Sequence, residues 1–300
     1  MKIAITGATG FLGRYLVRRL LENGHECRCW FRDEARCYSS PVAGGVIEWR
    51  AGELGNAECC DDLVQGCDAV IHSGLHRTGN AFRGGEGDLT TFVQKNVVGS
   101  IQLIETARRH GLRKFVFIST CAVHEKIMDD RPLDESHPLW MTTHYGAHKA
   151  AVEQFVHSFG FGVGFPICAL RPTGIYGLHH NVHQSKWFDL VKRVVAGETV
   201  ECHGGGKEVH AADVADAADL LLHSHDNSGE VYSCCDRYIS TYEVATIAKE
   251  ISGSQATIIG EPSSPKHQIV SDKIKAMGMT FGGTALLQQT IEQLVEQARS

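Results

Sequence analysis

The sequence predicts an α/β protein built on a doubly wound parallel sheet, with a smaller C-terminal α+β lobe. Before Arg171, short runs of apolar, mostly β-forming residues alternate with amphipathic helical stretches. Strands separated by helices of this length favour a parallel sheet covered on both faces, with right-handed crossovers. After Arg171, turn-rich polar segments interrupt shorter helices, which indicates a second and smaller unit.

The individual elements follow from local periodicity. Short apolar runs between turn residues predict strands at residues 2–6, 25–31, 46–49, 69–72, 114–118 and 166–170. Apolar residues recurring every three or four positions predict helices at residues 11–22, 89–110, 144–159, 187–195, 213–223, 241–251 and 284–299. Polar, glycine-containing stretches predict turns at residues 173–185 and 203–206.

Composition narrows the class of protein. The 300 residues carry a net charge of −6, which offers no basic surface for nucleic acid. No apolar run reaches the ~18 residues that would cross a membrane, and the glycine-rich stretch soon after Lys2 is unlike a secretory signal. Eleven cysteines without a CxxC pair indicate free thiols in a reducing compartment. We therefore expect a cytoplasmic protein without a metal.

The first strand leads into a glycine-rich turn, Gly7-Ala8-Thr9-Gly10-Phe11-Leu12-Gly13, which opens the first helix. Gly7 permits a tight turn, Gly10 lets the backbone approach a pyrophosphate, and Gly13 lets the helix pack closely on the strand. The amino end of the helix then stabilises the negative charge. We therefore predict a Rossmann-type dinucleotide-binding domain over residues 1–171, with residues 209–235 returning to it. Residues 172–208 and 236–300 are predicted to form the substrate-binding lobe.

The end of the second strand indicates which dinucleotide is bound. An NAD site usually places an acidic residue there, about 20 residues beyond the glycines. Here the strand ends without one, and Arg32 and Arg36 offer charge-assisted hydrogen bonds to a 2′-phosphate. We predict NADP, while Asp33, one position later, leaves NAD open as the alternative.

A Tyr-x-x-x-Lys motif opens the helix predicted at residues 144–159. The spacing of Tyr145 and Lys149 places both side chains on one helical face. An adjacent cation lowers the pKa of a phenol from its usual value near 10, so such a tyrosine can exchange protons near neutral pH. Thr120, just beyond the strand at residues 114–118, lies at the carboxyl edge of the sheet and offers a hydroxyl for the same substrate oxygen.

In addition, the chain resembles the extended short-chain dehydrogenase/reductases of the NAD-dependent epimerase/dehydratase family. The motifs that carry the resemblance follow the family order and run nearly end to end. They are Thr6 to Gly13, Gly52-Glu53-Leu54, Gly66 to His72, Asn96-Val97-Val98-Gly99, Ile118-Ser119-Thr120, Tyr145 with Lys149, Leu170-Arg171-Pro172 and His210 to Ala215.

The resemblance implies a role for each matching residue. Tyr145 would be the general acid/base, Lys149 would tune it and hold the nicotinamide ribose, and Thr120 would orient the substrate oxygen. The expected cofactor site comprises Gly7, Thr9, Gly10, Phe11, Leu12, Gly13, Arg32, Arg36, Glu53, Leu54, His72, Ser73, Asn96, Ile118, Lys149, Pro172 and Thr173. The family also implies a homodimer joined through the helices at residues 89–110 and 144–159.

Departures from the family pattern bear on the substrate. Cys121 and Ala122 stand where dehydratases carry an acid pair, so water elimination is not expected. Gly206 replaces an arginine that often binds the diphosphate of nucleotide sugars, with Lys207 beside it. His124 and Glu125 replace a usual Tyr-Gly pair. These changes argue against a nucleotide-sugar substrate without excluding one.

The sequence therefore predicts an oxidoreductase that moves a hydride between a nicotinamide and a secondary alcohol or carbonyl in a small molecule. A nucleotide-sugar epimerase and a non-catalytic cofactor sensor are the alternatives. Residues 73–88 resemble a mobile flap over the site. A loop with His179, His180 and His183 is expected at the rim of the substrate pocket or as ordinary loop polarity rather than as a metal site.

Overall fold

The computed structural model describes residues 1–79 and 84–299, and it confirms the predicted doubly wound parallel α/β fold. The predicted flap at residues 73–88 falls partly on residues 80–83, which lie outside the described residues. In the described part of the chain, no helix has the length and apolar character needed to cross a bilayer.

The strands of the described residues are β1 (Lys2–Thr6), β2 (Glu26–Phe31), β3 (Ile47–Ala51), β4 (Ala69–His72), β5 (Lys114–Ile118), β6 (Ile167–Pro172), β7 (Gly174–Tyr176), β8 (Val200–Cys202), β9 (Gly205–His210), β10 (Val231–Cys234), β11 (Arg237–Ser240) and β12 (Ile258–Gly260). The α-helices are α1 (Phe11–Glu22), α2 (Ala57–Val64), α3 (Leu89–Val93), α4 (Gly99–Arg109), α5 (His144–His157), α6 (Phe188–Val195), α7 (Ala211–His223), α8 (Thr241–Ser252), α9 (Asp272–Ala276) and α10 (Gly283–Arg299).

Seven parallel strands form the main sheet, in the order β10-β6-β5-β4-β1-β2-β3. The chain winds outward from β1 in both directions, so the strand order reverses between β1 and β4. A crevice forms at such a switch point, beyond the carboxyl ends of the strands. All five residues of β5 are buried, as expected for a central strand covered on both faces.

Helices cover the two faces of the sheet with separate apolar cores. On one face, α1 and α7 pack against the strands and against each other, with Leu16 and Leu221 fully buried. On the other face, α2, α4 and α5 bury residues such as Leu63, Leu103 and Val152. Both cores position the strand ends that form the crevice.

The C-terminal lobe has its own core. A sheet of β7, β9 and β11 and a parallel pair, β8 and β12, are packed with α6, α8 and α10 around Phe188, Val244 and Leu294. The hydroxyl of Tyr15 on α1 donates to the carbonyl oxygen of Leu178 at 3.0 Å and accepts from its amide at 2.8 Å. This pair of hydrogen bonds links α1 to the lobe.

Several predicted elements differ from the structure. The predicted helix at residues 89–110 is interrupted by a π-helical turn at Gln94–Val98, and α5 ends in another at Ser158–Gly162. The predicted polar turns at residues 173–185 and 203–206 are wrong in part, because β7 and the start of β9 lie there; β7 pairs with the end of β9, and the start of β9 pairs with β11. Helix α2 was not predicted. The remaining boundaries differ by one or two residues.

Candidate active site

A cleft of about 1450 Å³ opens at the carboxyl ends of β1, β4 and β5. Gly7, Ser73 and Thr120 lie just beyond these three strands, and all three line it. Most of the residues predicted for the site also line it: Thr9, Gly10, Phe11, Leu12, Gly13, Arg32, Arg36, Glu53, Leu54, Ile118, Tyr145, Lys149, Pro172 and Thr173. The structure thus brings the glycine turn and the Tyr-Lys pair into one cleft.

The glycine turn is shaped for close approach by an anion. Gly7 has a φ of 77°, and a Cβ atom there would lie 2.8 Å from the carbonyl oxygen of Ser73. A Cβ on Gly13 would lie 2.1 Å from the carbonyl oxygen of Gly7. Gly10 begins α1 without a side-chain cap, so the first N–H groups of the helix are left for a ligand. These features fit the pyrophosphate of a dinucleotide.

Three arginines converge at one end of the cleft. Arg32 and Arg36 flank a short turn after β2, and Arg77 reaches the cleft from the segment after β4. Burial lowers the pKa of the Arg77 guanidinium, and repulsion from Arg32 and Arg36 lowers it further. The carboxylate of Asp33 accepts a hydrogen bond from the amide of Ala35 at 3.1 Å. Asp33 therefore caps the local turn, while Arg77 lies close enough to Arg32 and Arg36 to be repelled by both.

His72 and Asn96, both predicted to contact the cofactor, lie behind the wall of the cleft rather than on it. The His72 ring contacts the hydroxyls of Thr6 at 2.6 Å and Ser100 at 2.8 Å, and burial lowers its pKa to about 3. The side-chain amide of Asn96 donates to the carbonyl oxygen of His76 at 2.9 Å and accepts from its amide at 2.8 Å. His72 therefore joins β1 to α4, and Asn96 holds the segment that follows β4.

Two further pairs complete the predicted cofactor wall. The carboxylate of Glu53 forms an ion pair with Lys95 at 2.9 Å, and Leu54 beside it is buried. At the other end, Pro172 ends β6, and the amide of Thr173 donates to the carbonyl oxygen of Cys234 at 3.1 Å. Glu53 is therefore held by another residue of the cleft lining, and Thr173 by the end of β10.

The Tyr-Lys motif is positioned by the start of α5. The Thr143 hydroxyl accepts a hydrogen bond from the amide of Gly146 at 3.1 Å, which caps the helix so that it begins at His144. Tyr145 consequently lies in the first turn, and Lys149 follows one turn later on the same face. Both residues line the cleft.

Lys149 lines the cleft, but its side chain is almost completely buried. Its ammonium donates to the carbonyl oxygen of Ile118 at 2.7 Å and lies 4.6 Å from the centre of the Phe117 ring. Burial lowers the pKa of Lys149 to about 7, and the negative charge of Glu153 partly offsets this effect. An anion bound nearby would favour the charged form.

Thr120 offers its hydroxyl proton to the cleft. Its oxygen accepts a hydrogen bond from the amide of Ala122 at 3.1 Å, so the proton remains to be donated elsewhere. The adjacent thiol of Cys121 donates to the carbonyl oxygen of Arg171 at 3.0 Å, and burial raises its pKa well above the usual range. Cys121 therefore offers no acid at neutral pH.

Several residues that line the outer part of the cleft were not predicted as site residues. Ile127, Leu133 and Ile269 form an apolar wall near Cys121, and their separation in sequence hides this cluster. Lys186 and Lys207 line the side formed by the lobe. Lys207 lies three residues before His210 and directly after Gly206, so its sequence position gave a signal, whereas the others gave none.

The three histidines of the loop after β7 have different neighbours. His179 lines the cleft, with its ring stacked on Phe11 at 5.6 Å between ring centres. His180 packs against His179 at 4.1 Å, whereas His183 packs against Phe188 at 4.9 Å. His179 therefore lies at the rim of the cleft.

The sequence matches a family profile over most of its length. Residues 3–235 match the profile of the NAD dependent epimerase/dehydratase family. A curated relative from Arabidopsis thaliana is a trifunctional UDP-glucose 4,6-dehydratase, UDP-4-keto-6-deoxy-D-glucose 3,5-epimerase and UDP-4-keto-L-rhamnose-reductase. It is 26% identical over 77% of this chain, and the match spans only 36% of its own length.

A second relative and a solved structure extend the comparison. A 4-hydroxy-2-methyl-3-oxo-4-farnesyl-3,4-dihydroquinoline-1-oxide ketoreductase from Stigmatella aurantiaca is 28% identical over 86% of this chain and 75% of its own length. The crystal structure of the Thermus thermophilus UDP-glucose 4-epimerase in complex with NAD superposes with a TM-score of 0.78. The superposition covers 100% of this chain and 99% of the Thermus thermophilus chain, at 22% sequence identity, and it establishes a shared fold. Because the family profile covers residues 3–235, the chain belongs to the NAD dependent epimerase/dehydratase family of enzymes, as its motifs predicted.

Proposed function

We propose that the protein is an NAD(P)-dependent oxidoreductase that interconverts a secondary alcohol and a carbonyl, with Tyr145 as the general acid/base. The observation that carries this proposal is the convergence of Thr120, Tyr145 and Lys149 on the cleft that begins at the glycine turn. The ketoreductase from Stigmatella aurantiaca, which matches most of this chain, also supports it.

The proposed mechanism assigns one task to each side chain. When bound, the cofactor supplies or accepts the hydride. Thr120 donates a hydrogen bond to the substrate oxygen and so orients it. Tyr145 gives its phenolic proton to that oxygen during reduction and takes a proton back during oxidation. The ammonium of Lys149 favours the phenolate form of Tyr145.

The arginine cluster supports NADP as the preferred cofactor. Arg32 and Arg36 line the cleft beyond the end of β2, where they would form charge-assisted hydrogen bonds to a 2′-phosphate, and Arg77 lies near enough to feel the charge of both. Asp33 does not line the cleft, and its carboxylate is used as a turn cap. Both observations disfavour the alternative in which Asp33 holds an unphosphorylated ribose and NAD is preferred.

The polar and apolar parts of the outer cleft suggest an amphipathic substrate. Ile127, Leu133 and Ile269 would contact its apolar part, while Lys207 would face a polar or anionic group. Cys121, which replaces an acid of the dehydratases, is held by Arg171 and buried, so elimination of water is not proposed.

An epimerase is the second candidate, favoured by the fold shared with the UDP-glucose 4-epimerase of Thermus thermophilus. Such an enzyme would oxidise its substrate, let it reorient and reduce it from the other face, with no net use of cofactor. The third alternative is a cofactor sensor. It gives no chemical reason for the presence of Thr120, Tyr145 and Lys149 in one cleft.

A single set of assays separates these candidates. The purified protein is incubated with NADPH or NADP and with panels of ketones, secondary alcohols and nucleotide sugars. A net change in nicotinamide absorbance supports the oxidoreductase, whereas isomerised sugar without that change supports the epimerase. Cofactor binding without either reaction across the panels would favour the sensor and count against both enzymes.

We also propose a homodimer joined through two stretches of each subunit. They are residues 89–110, which include α4, and residues 144–159, which include α5. Large apolar side chains are exposed on the segments that lead into α4 and on α5, at Leu89, Val93, Val98 and Phe155. Exposed apolar surface on two neighbouring helices is typical of a subunit interface.

The predicted division of the chain and its location also remain proposals. The pairing of β10 with β6 supports the return of residues 209–235 to the dinucleotide-binding domain. The third apolar core is built from residues 176–202 and 239–298, which supports the assignment of 172–208 and 236–300 to a substrate lobe. All eleven cysteines are free thiols, which supports a reducing compartment such as the cytoplasm.

A further inference from the structure

Two histidines and an aspartate meet on the edge of the sheet opposite the cleft. His25 immediately precedes β2, and Asp219 and His223 lie one turn apart near the end of α7. Each residue offers one potential ligand atom, and the three atoms lie within 4.8 Å of one another. The i,i+4 spacing directs Asp219 and His223 from one face of the helix towards His25.

The two inner atoms of this group are buried and lack hydrogen bonds. The His25 side chain is 8% exposed and the Asp219 side chain 13%. His25 Nε2 and Asp219 Oδ1 face each other at 3.6 Å, and neither has a hydrogen-bond partner among the described residues. Buried polar atoms are seldom left without a partner, and a group that binds both atoms would satisfy them better than this long ion-pair contact does.

Two of the three separations approach those of a small coordination sphere, and the third lies within 4.8 Å. Ligand atoms about 2.0–2.1 Å from a tetrahedral metal ion lie about 3.3–3.4 Å apart. The His25–Asp219 distance of 3.6 Å is close to this, as is the 3.8 Å between His223 Nδ1 and Asp219 Oδ1. A small inward movement would therefore place all three atoms around one ion.

The surroundings of the group also suit a cation. The amide of Asn23 donates to the second oxygen of Asp219 at 2.6 Å, which orients the carboxylate in the way that outer partners orient metal ligands. His223 is half exposed, so it gives an ion a path of entry and leaves a position for water. Its Nδ1 now contacts the main-chain oxygen of Asp219 at 2.9 Å, and the exposed ring is able to turn. One neighbour opposes a cation: the amino group of Met1 lies 3.2 Å from Nδ1 of His25, the nitrogen that is not used, and its positive charge would repel a bound ion.

We propose that His25, Asp219 and His223 form a binding site for a late first-row divalent cation, with Zn²⁺ as the biological candidate. Two imidazole nitrogens and one carboxylate oxygen are a common ligand set for zinc. The ion joins the start of β2 to the end of α7, at the edge of the sheet away from the cleft. The site is therefore structural rather than catalytic, and it does not depend on the proposed oxidoreductase activity.

Cobalt(II) is a suitable probe because its visible spectrum reports both geometry and ligand type. Chelator-treated protein without a histidine tag is titrated with Co²⁺ and then with Zn²⁺. We expect one equivalent of Co²⁺ to give d–d bands of a four- or five-coordinate site without a thiolate charge-transfer band, and Zn²⁺ to displace it. We expect the H223Q and D219N variants to bind at least about 100-fold more weakly.

The matched control is H110Q. His110 also contacts an aspartate, with its Nε2 2.8 Å from Asp61, but the group of three ligands does not include it. This variant should bind Co²⁺ like the parent, and Zn²⁺ should raise the unfolding temperature of the parent and H110Q but not of H223Q. The proposal is overturned if Co²⁺ does not bind saturably, binds through thiolate, or binds H223Q as well as the parent.

Discussion

At the scale of single residues, burial sets the charge of the polar groups around the cleft. Burial lowers the pKa of His72 to about 3, so this ring is neutral and serves as a link between Thr6 and Ser100. Burial also lowers the pKa of Lys149 to about 7, which leaves its charge sensitive to any neighbouring anion. His72 is therefore a structural link between Thr6 and Ser100, and its ring does not exchange protons near neutral pH.

Replacing Tyr145 with phenylalanine should remove the proton donor while keeping the ring. We expect kcat to fall by about 10²–10⁴-fold with little change in the cofactor Kd, because the phenol acts on the substrate oxygen. Steady-state kinetics and a fluorescence titration with NADPH measure the two quantities. Tyr238→Phe, outside the cleft, is the control, and a Tyr145→Phe enzyme with normal kcat would remove this residue from the mechanism.

Replacing Arg32 with alanine should weaken NADPH more than NADH. A charge-assisted hydrogen bond to phosphate contributes about 1.5–3 kcal/mol, so the Kd for NADPH should rise by about 10- to 100-fold. The Kd for NADH should change less than about twofold. Arg113→Ala is the control, because its side chain is 80% exposed and lies before β5. An equal loss for both cofactors would argue against 2′-phosphate recognition.

Asp213 predicts how stability depends on pH. Burial raises the pKa of this carboxyl from 3.8 to about 7, so the folded state retains a proton that the unfolded state has lost. Stability should therefore fall as the pH rises from about 4 to about 7. Its carboxylate accepts a hydrogen bond from the amide of Gly282 at 3.1 Å, which asparagine can also accept.

We therefore expect Asp213→Asn to stabilise the protein at pH 8 relative to pH 5. The difference in unfolding free energy between variant and parent should grow by about 1–2 kcal/mol between these pH values. Urea unfolding at both pH values measures it, with the exposed Asp189→Asn as the control. A difference that is the same at pH 5 and pH 8 would mean that Asp213 is already ionised in the folded state.

The site was predictable from the sequence where chemistry and position along a strand coincide. Gly7, Thr120 and Tyr145 each stand at the end of a strand or the start of a helix, and all three line the cleft. The depth of a side chain is harder to predict, because it depends on neighbouring strands. His72 therefore lies behind the cleft wall, and Arg77 reaches the cleft without any signal in the local sequence.

At the scale of elements, the close contact between the glycine turn and α1 is the most constrained feature of the site. A Cβ atom on Gly13 would lie 2.1 Å from the carbonyl oxygen of Gly7, and backbone cannot move aside as a side chain can. The turn and the first helix therefore have to shift together to admit any side chain.

Gly13→Ala should consequently destabilise the fold and weaken cofactor binding. Overpacking of this kind costs about 1–3 kcal/mol, and the shifted turn should raise the Kd for NADPH at least about tenfold. Denaturant unfolding and a binding titration give the two values. Gly162→Ala is the matched control, because a Cβ there meets nothing within 4 Å. Unchanged binding in Gly13→Ala would separate this turn from the cofactor.

The elements that the sequence did not predict are short or depend on their partners. Helix α2 has the sequence AECCDDLV, in which cysteine and aspartate are weak helix formers. It is stabilised instead by the cap from Asn56 and by the burial of Cys60, Leu63 and Val64. Strands β8 and β12 have three residues each and exist through their mutual pairing, which no local pattern reveals.

The start of α6 also depends on tertiary contacts that the local sequence does not reveal. Trp187 was predicted to be its first residue, but Trp187 adopts a φ of 69°, and the helix begins at Phe188. A left-handed conformation is unfavourable for a bulky side chain, so only tertiary contacts stabilise it. Its ring lies against Tyr176, with 5.2 Å between ring centres.

At the scale of the whole molecule, the proposed dimer is the property most open to direct measurement. We expect the protein to sediment as a dimer and Val98→Asp to sediment as a monomer, because a charge on a buried apolar interface is costly. Val98 is 49% exposed in the single chain. Ile259→Asp, in the lobe and 46% exposed, should remain dimeric. A monomeric parent would refute the dimer.

The order of strands also has a consequence for synthesis of the chain. Strand β10 completes the main sheet beside β6, but about 60 residues, including part of the lobe and α7, separate the two along the chain. At about 5–20 residues per second, a ribosome needs roughly 3–12 s to deliver the missing strand. During that interval the newly made β6 presents an open hydrogen-bonding edge to other nascent chains and to chaperones.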